Sequence, residues 1–143
     1  MSEITFTGEF KHTVDPKFRM FLPASMREKL AGDIVLTKNV DCCVAVYPMS
    51  AWKSYTAKLD QLPELQARNV RRFIYSSATE TQLDSQGRVL IPQNLREYAC
   101  LNKNVCVIGV GDHAEIWDED KWNEQMSGIK GEDLADTLIG LGF

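Results

Sequence analysis

Two aspartate–arginine pairs, Asp15/Arg19 and Asp84/Arg88, occupy the same place in a phrase that the chain repeats. The phrases are DPKFRMFLPASMREK, starting at Asp15, and DSQGRVLIPQNLREY, starting at Asp84. At an offset of 69 they share Asp, Arg, an apolar triplet, Pro, an apolar residue and Arg-Glu. An Asp that opens a tight turn accepts hydrogen bonds from amides two or three residues on. It can also pair with an Arg four positions later and hold it in one rotamer. The guanidinium then projects a planar fork of five donors, suited to a phosphate or a guanine edge. Arg27 and Arg96, just after the two turns, can add backbone contacts. A single surface Asp–Arg pair is common and worth about 0–1 kcal/mol; the duplication in matching turns is what raises it to a candidate site.

Other residues invite less. Arg68, Arg71 and Arg72 line one side of a predicted helix, as a phosphate-contacting face or, more simply, as a solvated or salt-bridged one. Lys11 and His12 could flank a groove, although a lone His on a strand is more often half-buried. Trp52, Trp117 and Trp122 fall at repeat-equivalent places and read as core anchors. No H-E-x-x-H, G-x-S-x-G or phosphate-cradling glycine loop appears, so nothing invites an enzymatic reading. Cys42, Cys43, Cys100 and Cys106 form no C-x-x-C pair and read as small core hydrophobes, without a metal site or cofactor.

The elements that must position the two pairs follow one grammar in each copy. The segment before Asp15 alternates, with Ile4, Phe6, Phe10 and Val14 on one face and Gly8 and His12 between, as a half-buried strand does. The segment before Asp84 is a weaker strand, polar but rich in Thr. DSQG matches type I turn preferences, with Gly87 free to take positive φ. DPKF places Phe18 at that position, so the first turn must be strained or bent another way. Strands Arg19–Leu22 and Arg88–Ile91 come next. Pro23 and Pro92 stop them and open short helices over Ala24–Leu30 and Gln93–Ala99. Two further strands follow in each copy: Ile34–Thr37 with Val44–Tyr47, and Val105–Gly109 with Ala114–Trp117. Each half closes with a helix. Ser50–Leu62 is capped by Ser50 and carries the stripe Trp52, Tyr55, Leu59 and Leu62. Glu119–Ile129 follows Asp118 and carries Trp122, Met126 and Ile129. Glu64–Tyr75 is a helix between the halves, and the tail from Gly131 is a loose helix or disordered.

The chain has 143 residues, 44% apolar and 25% charged, values of a soluble globular protein. No apolar run is long enough to span a bilayer, and MSEITFTGEF is no secretory signal, so a cytoplasmic location is expected. Net charge is −4, but it is unevenly spread. Residues 1–111 carry 14 Lys/Arg against 11 Asp/Glu, whereas residues 112–143 carry 2 against 9. Such asymmetry can mark a nucleic-acid face and an acidic tail. Neither repeat, at roughly 45 residues, buries enough surface to be secure alone, so the two are expected to interlock around one β-rich core.

The paired phrases, the closings VYPMSAW and EIWDEDKW, and NVRRFIYSSATETQLDSQGR between them resemble the MraZ family. The resemblance covers about residues 5–128. It implies an α+β, β-rich fold: a double AbrB-like swapped-hairpin β-barrel formed by two internal repeats, with flanking helices. Its divisions would be a first SpoVT-AbrB-type repeat over 5–52, a helical linker over 53–76, a second repeat over 77–124 and an acidic tail over 125–143. It further implies a nucleoid-associated transcriptional regulator that binds short direct repeats of double-stranded DNA at the promoter of the division and cell-wall gene cluster, usually as an autorepressor. The active form would be a homo-oligomeric ring. The DNA-contacting residues implied are Asp15, Arg19, Asp84 and Arg88 of the Asp-x-x-x-Arg loops; Lys17 in the first loop and Arg27 and Arg96 after the loops join them as candidates from their position in this chain. The chain departs from the family at Phe18, where Gly is common. The competing class is an oligomeric interaction module that binds protein rather than DNA, a tandem antitoxin being one form of it.

Overall fold

The computed structural model describes residues 5–143, so Ile4 of the first alternating segment lies outside the described residues. The chain forms an α+β fold of eight strands and six helices among those residues. The first repeat holds β1 (Glu9–Thr13), β2 (Arg19–Phe21), α1 (Ala24–Arg27), β3 (Ile34–Asn39) and β4 (Cys43–Pro48). Helices α2 (Met49–Leu59) and α3 (Glu64–Ser77) lead into the second repeat. That copy holds β5 (Thr79–Thr81), β6 (Arg88–Leu90), α4 (Gln93–Ala99), β7 (Asn104–Gly109) and β8 (Ala114–Asp118). Helices α5 (Glu119–Ser127) and α6 (Gly131–Gly140) complete the chain.

Strand pairing crosses between the copies. The main sheet runs β1-β7-β8-β4-β3-β5, and β2 pairs with β6 in a separate two-stranded ribbon. All pairs are antiparallel. Outer strands β1 and β5 each lie on a strand of the other repeat. The pairing does not close into a barrel among the described residues, because the ribbon pairs with no strand of the main sheet, which ends at β1 and β5. One core joins the repeats: Met20, Leu22, Met26, Leu30, Ile34 and Leu36 of the first pack with Val89, Ile91, Leu95, Val105, Val107 and Ile116 of the second. Burying each such side chain is worth about 1.5–3 kcal/mol.

Several local expectations change. Helix α2 starts at Met49 behind Pro48, so Ser50 lies inside the first turn and caps nothing. The α2 stripe holds through buried Leu59, after which the chain turns and leaves Leu62 exposed. Helix α1 is a single turn, shorter than the stretch to Leu30. In α5 the Asp118 carboxylate does accept from the Lys121 amide, but Met126 and Ile129 are exposed. The tail is helical over α6 and almost wholly exposed. Cys43 and Cys106 are core residues as expected, but Cys42 and Cys100 are exposed at left-handed turn positions, φ +62° and +53°. Trp117 is buried and stacks edge-on with half-buried Trp122 at 5.4 Å. Strand β1 begins only at Glu9, because Gly8 takes φ +96° and breaks the alternation.

Candidate nucleic-acid interface

The two Asp–Arg turns have the same geometry. In the first, the Asp15 amide donates to the Arg19 carbonyl and the Phe18 amide to the Asp15 carbonyl, at 2.8 and 2.9 Å. In the second, Asp84 and Arg88, then Gly87 and Asp84, repeat these bonds at 2.9 and 3.0 Å. Asp15 Oδ1 accepts from the amides of Lys17 and Arg19, both at 2.9 Å, and Asp84 Oδ1 from those of Gln86 and Arg88 at the same distance. The second carboxylate oxygen accepts from the guanidinium Nε, at 2.9 Å in Arg19 and 2.8 Å in Arg88. The backbone amides of Arg19 and Arg88, foremost, hold the two carboxyls below the usual aspartate range, and the guanidinium bonds add to this. Each Asp is thus an ionised clamp on both its turn and its Arg.

Phe18 resolves the difficulty raised by the first turn. It takes φ +61°, the conformation that Gly87 adopts at +83°. The bend is therefore the same, and an L-residue carries the backbone cost.

Crossed strand pairing sets the two arginines side by side. On the ribbon, Arg19 lies opposite Leu90 and Phe21 opposite Arg88, while Met20 and Val89 pair between them. Side chains alternate across a strand. Met20 and Val89 accordingly point into the core, at 1% and 0% exposure. Arg19, Phe21, Arg88 and Leu90 share the outer face. With a rise of about 3.3 Å per residue and strands about 5 Å apart, the two Arg Cα atoms lie about 8 Å apart on the diagonal. The arginine side chains remain 33% and 20% exposed, and among the described residues their Nη atoms take no protein hydrogen bond.

Arg27 and Arg96 both reach the turns. Each leans on the turn of the other repeat. Arg27 packs so close to Gly87 that a Cβ there would meet its Cδ at 2.6 Å, and its Nε donates to the Leu22 carbonyl at 2.9 Å. The Arg96 guanidinium lies 3.3 Å from the centre of the Phe18 ring, and its buried Nε has no protein partner among the described residues. Both are half-buried braces of the turns. Lys17 is exposed at the first tip. His12 is half-buried, and burial first, then the charge of Arg27, lowers its pKa. Arg71 pairs with Asp60 and Glu64, whereas Arg68 and Arg72 stay exposed on α3. The sequence had given no sign of two further members of the ribbon face, exposed Phe21 and Leu90, because their place opposite the arginines depends on the register between repeats.

Comparison with known proteins agrees with the duplication. Residues 5–73 and 74–138 each match the family described as "MraZ protein, putative antitoxin-like". A protein of Moorella thermoacetica named transcriptional regulator MraZ is 49% identical over 138 residues, covering 94% of this chain and 96% of that protein. Proteins of the same name from Clostridium acetobutylicum and Heliobacterium modesticaldum are 44% and 43% identical, over 96% and 94% of this chain and 99% and 96% of theirs. With two tandem matches that take in both Asp–Arg turns, the chain belongs to the MraZ family.

Proposed function

We propose that this protein is a cytoplasmic, nucleoid-associated transcriptional regulator that binds double-stranded DNA through the outer face of the β2–β6 ribbon. The observation that carries this is the pair of clamped arginines, Arg19 and Arg88, about 8 Å apart with their outer donors unused. Nε is occupied by the Asp, so the Nη edge stays available for a guanine or a phosphate. Lys17 at the first tip supplies a backbone contact. Arg27 and Arg96 hold the turns and add backbone contacts beside them. The names of the relatives support a regulator.

A spacing of about 8 Å covers only two or three base pairs at about 3.4 Å each, too little for a selective site. The two repeats exchange outer strands around a swapped-hairpin core, and the protomers assemble into a ring that offers the same short reader to successive direct repeats. Linking weak modules raises avidity by about 10²–10⁴ when the geometry fits. A protomer of net charge −4 then needs no broad basic patch. The target is the promoter of a division and cell-wall gene cluster, repressed by its own product.

A gel shift with the protein's own upstream DNA tests this. Arg19→Ala and Arg88→Ala each abolish the shifted band while the elution volume of the assembly is unchanged. The wild-type affinity falls steeply with salt, because phosphate contacts release counterions. Collapse of the assembly in the variants would make the arginines structural. A salt-independent interaction with a protein and none with DNA would favour the antitoxin-like alternative.

A further inference from the structure

Between the two arginines, the same face of the ribbon carries two large apolar side chains in the open. Phe21 is 42% exposed and Leu90 57%. They are repeat-equivalent residues, and each stands directly across the ribbon from an arginine, Phe21 from Arg88 and Leu90 from Arg19. Phe21 is also held in place. The Arg27 and Arg88 guanidinium carbons lie 5.5 and 5.9 Å from its ring centre, so two cations hold the ring while much of it stays open. Single exposed apolar residues are ordinary. Two of them, alternating with two clamped arginines on a ribbon four side chains across, form a patterned surface of donor, apolar, donor, apolar.

In the major groove, an arginine reads the O6 and N7 acceptors of guanine. The one apolar group presented there by an unmodified base pair is the C5-methyl of thymine. A two-stranded ribbon fits that groove. Resting on the DNA reading above, we infer that Phe21 and Leu90 form apolar subsites for thymine methyl groups flanking the base pairs that Arg19 and Arg88 contact. The two subsites differ in shape, a flat ring pinned by cations against a free branched aliphatic, so the two halves of one protomer read unlike base steps although their Asp–Arg clamps are alike. The protein therefore prefers sites in which guanine and thymine alternate over sites made of guanine and cytosine alone.

The test removes the methyl groups from the DNA. The upstream fragment is amplified with either thymidine or deoxyuridine triphosphate, and both duplexes are titrated with wild-type protein and with the Phe21→Ala and Leu90→Ala variants. Loss of one buried methyl contact weakens binding about fourfold. Wild type is expected to bind the uracil duplex at least fourfold more weakly than the thymine duplex. In each variant that ratio moves toward one, while circular dichroism and elution volume match wild type. Equal wild-type affinity for both duplexes overturns the inference and leaves the DNA reading intact. A ratio that persists unchanged in both variants also overturns it, and assigns the methyl contact elsewhere. Binding of neither duplex by wild type sinks the DNA reading and this inference with it.

Discussion

Replacing Phe18 by Gly sets two opposed effects against each other. Phe18 holds φ +61°, a conformation that costs an L-residue about 1–2 kcal/mol, and glycine would remove that cost. The substitution also removes the ring. Phe18 is 43% exposed, so a little more than half of its roughly 200 Å² is covered. That is about 100 Å² of apolar surface, worth about 2.5 kcal/mol as an upper figure. The stack on the Arg96 guanidinium adds about 0.5–1 kcal/mol. Glycine's freedom in the unfolded chain costs about 0.5–1 kcal/mol more. The ring wins, and Phe18→Gly destabilises by about 2 kcal/mol, lowering the melting temperature by about 6–8 °C in a chain of this size. Phe18→Ala loses the ring yet keeps the strained backbone, so it should fall about 1 kcal/mol below Phe18→Gly. Urea titration of the three proteins gives the order. A glycine variant as stable as wild type would mean that the stack on Arg96 holds nothing, and an alanine variant above the glycine variant would mean that the turn is not strained.

Acid should loosen both turns. The Asp15 and Asp84 carboxyls have folded-state pKa values lowered from 3.8, so their contribution is complete at neutral pH and disappears as pH falls below 3.8 through the folded values. The stability difference between wild type and Asp84→Asn should accordingly shrink toward zero on that acid limb, as followed by urea titrations across the range. Cysteine exposure predicts a pattern of alkylation: iodoacetamide should label Cys42 and Cys100 in the native protein and spare Cys43 and Cys106, whose thiols are buried with raised pKa values, as read by peptide mass spectrometry. Gly109 faces the backbone of Phe6 and Thr7 so closely that a Cβ would overlap the Thr7 nitrogen. Gly109→Ala should therefore separate the N-terminal segment from β7, cost about 3 kcal/mol or more, and raise amide exchange at Phe6 and Gly111, which bond to one another.

Much of the fold was legible because the two copies check each other. Strands β3, β4, β7 and β8 carry apolar runs long enough to announce themselves, and helix α4 is bounded by Pro92 and its last apolar residue Ala99 as expected. The Asp–Arg clamp was equally legible, since it is made within five residues by bonds that depend only on the turn. Features decided at a distance were not. The stacking of Arg96 on Phe18 requires α4 of one repeat to reach the turn of the other, and no local pattern announces it. Exposure of Cys42 and Cys100 follows from left-handed turn positions that composition does not reveal. The α2 stripe failed at Leu62 because the chain turns after Leu59, and a periodic pattern carries no signal for where burial stops.

The candidate site is a property of the duplication rather than of either copy. Strands β1, β2, β5 and β6 all find their partners in the opposite repeat, and so do Arg27 and Arg96. A single repeat retains only its inner hairpin, β3–β4 or β7–β8, and a two-stranded hairpin is marginal in water. The ribbon's register is fixed from below, because Met20 and Val89 must both enter the core. A slip by one residue would turn one strand's buried side chain outward and its arginine inward. The hydrophobic effect that pins Met20 and Val89 is therefore what sets the spacing of Arg19 and Arg88 above them, and the two arginines cannot be shifted independently without exposing the core.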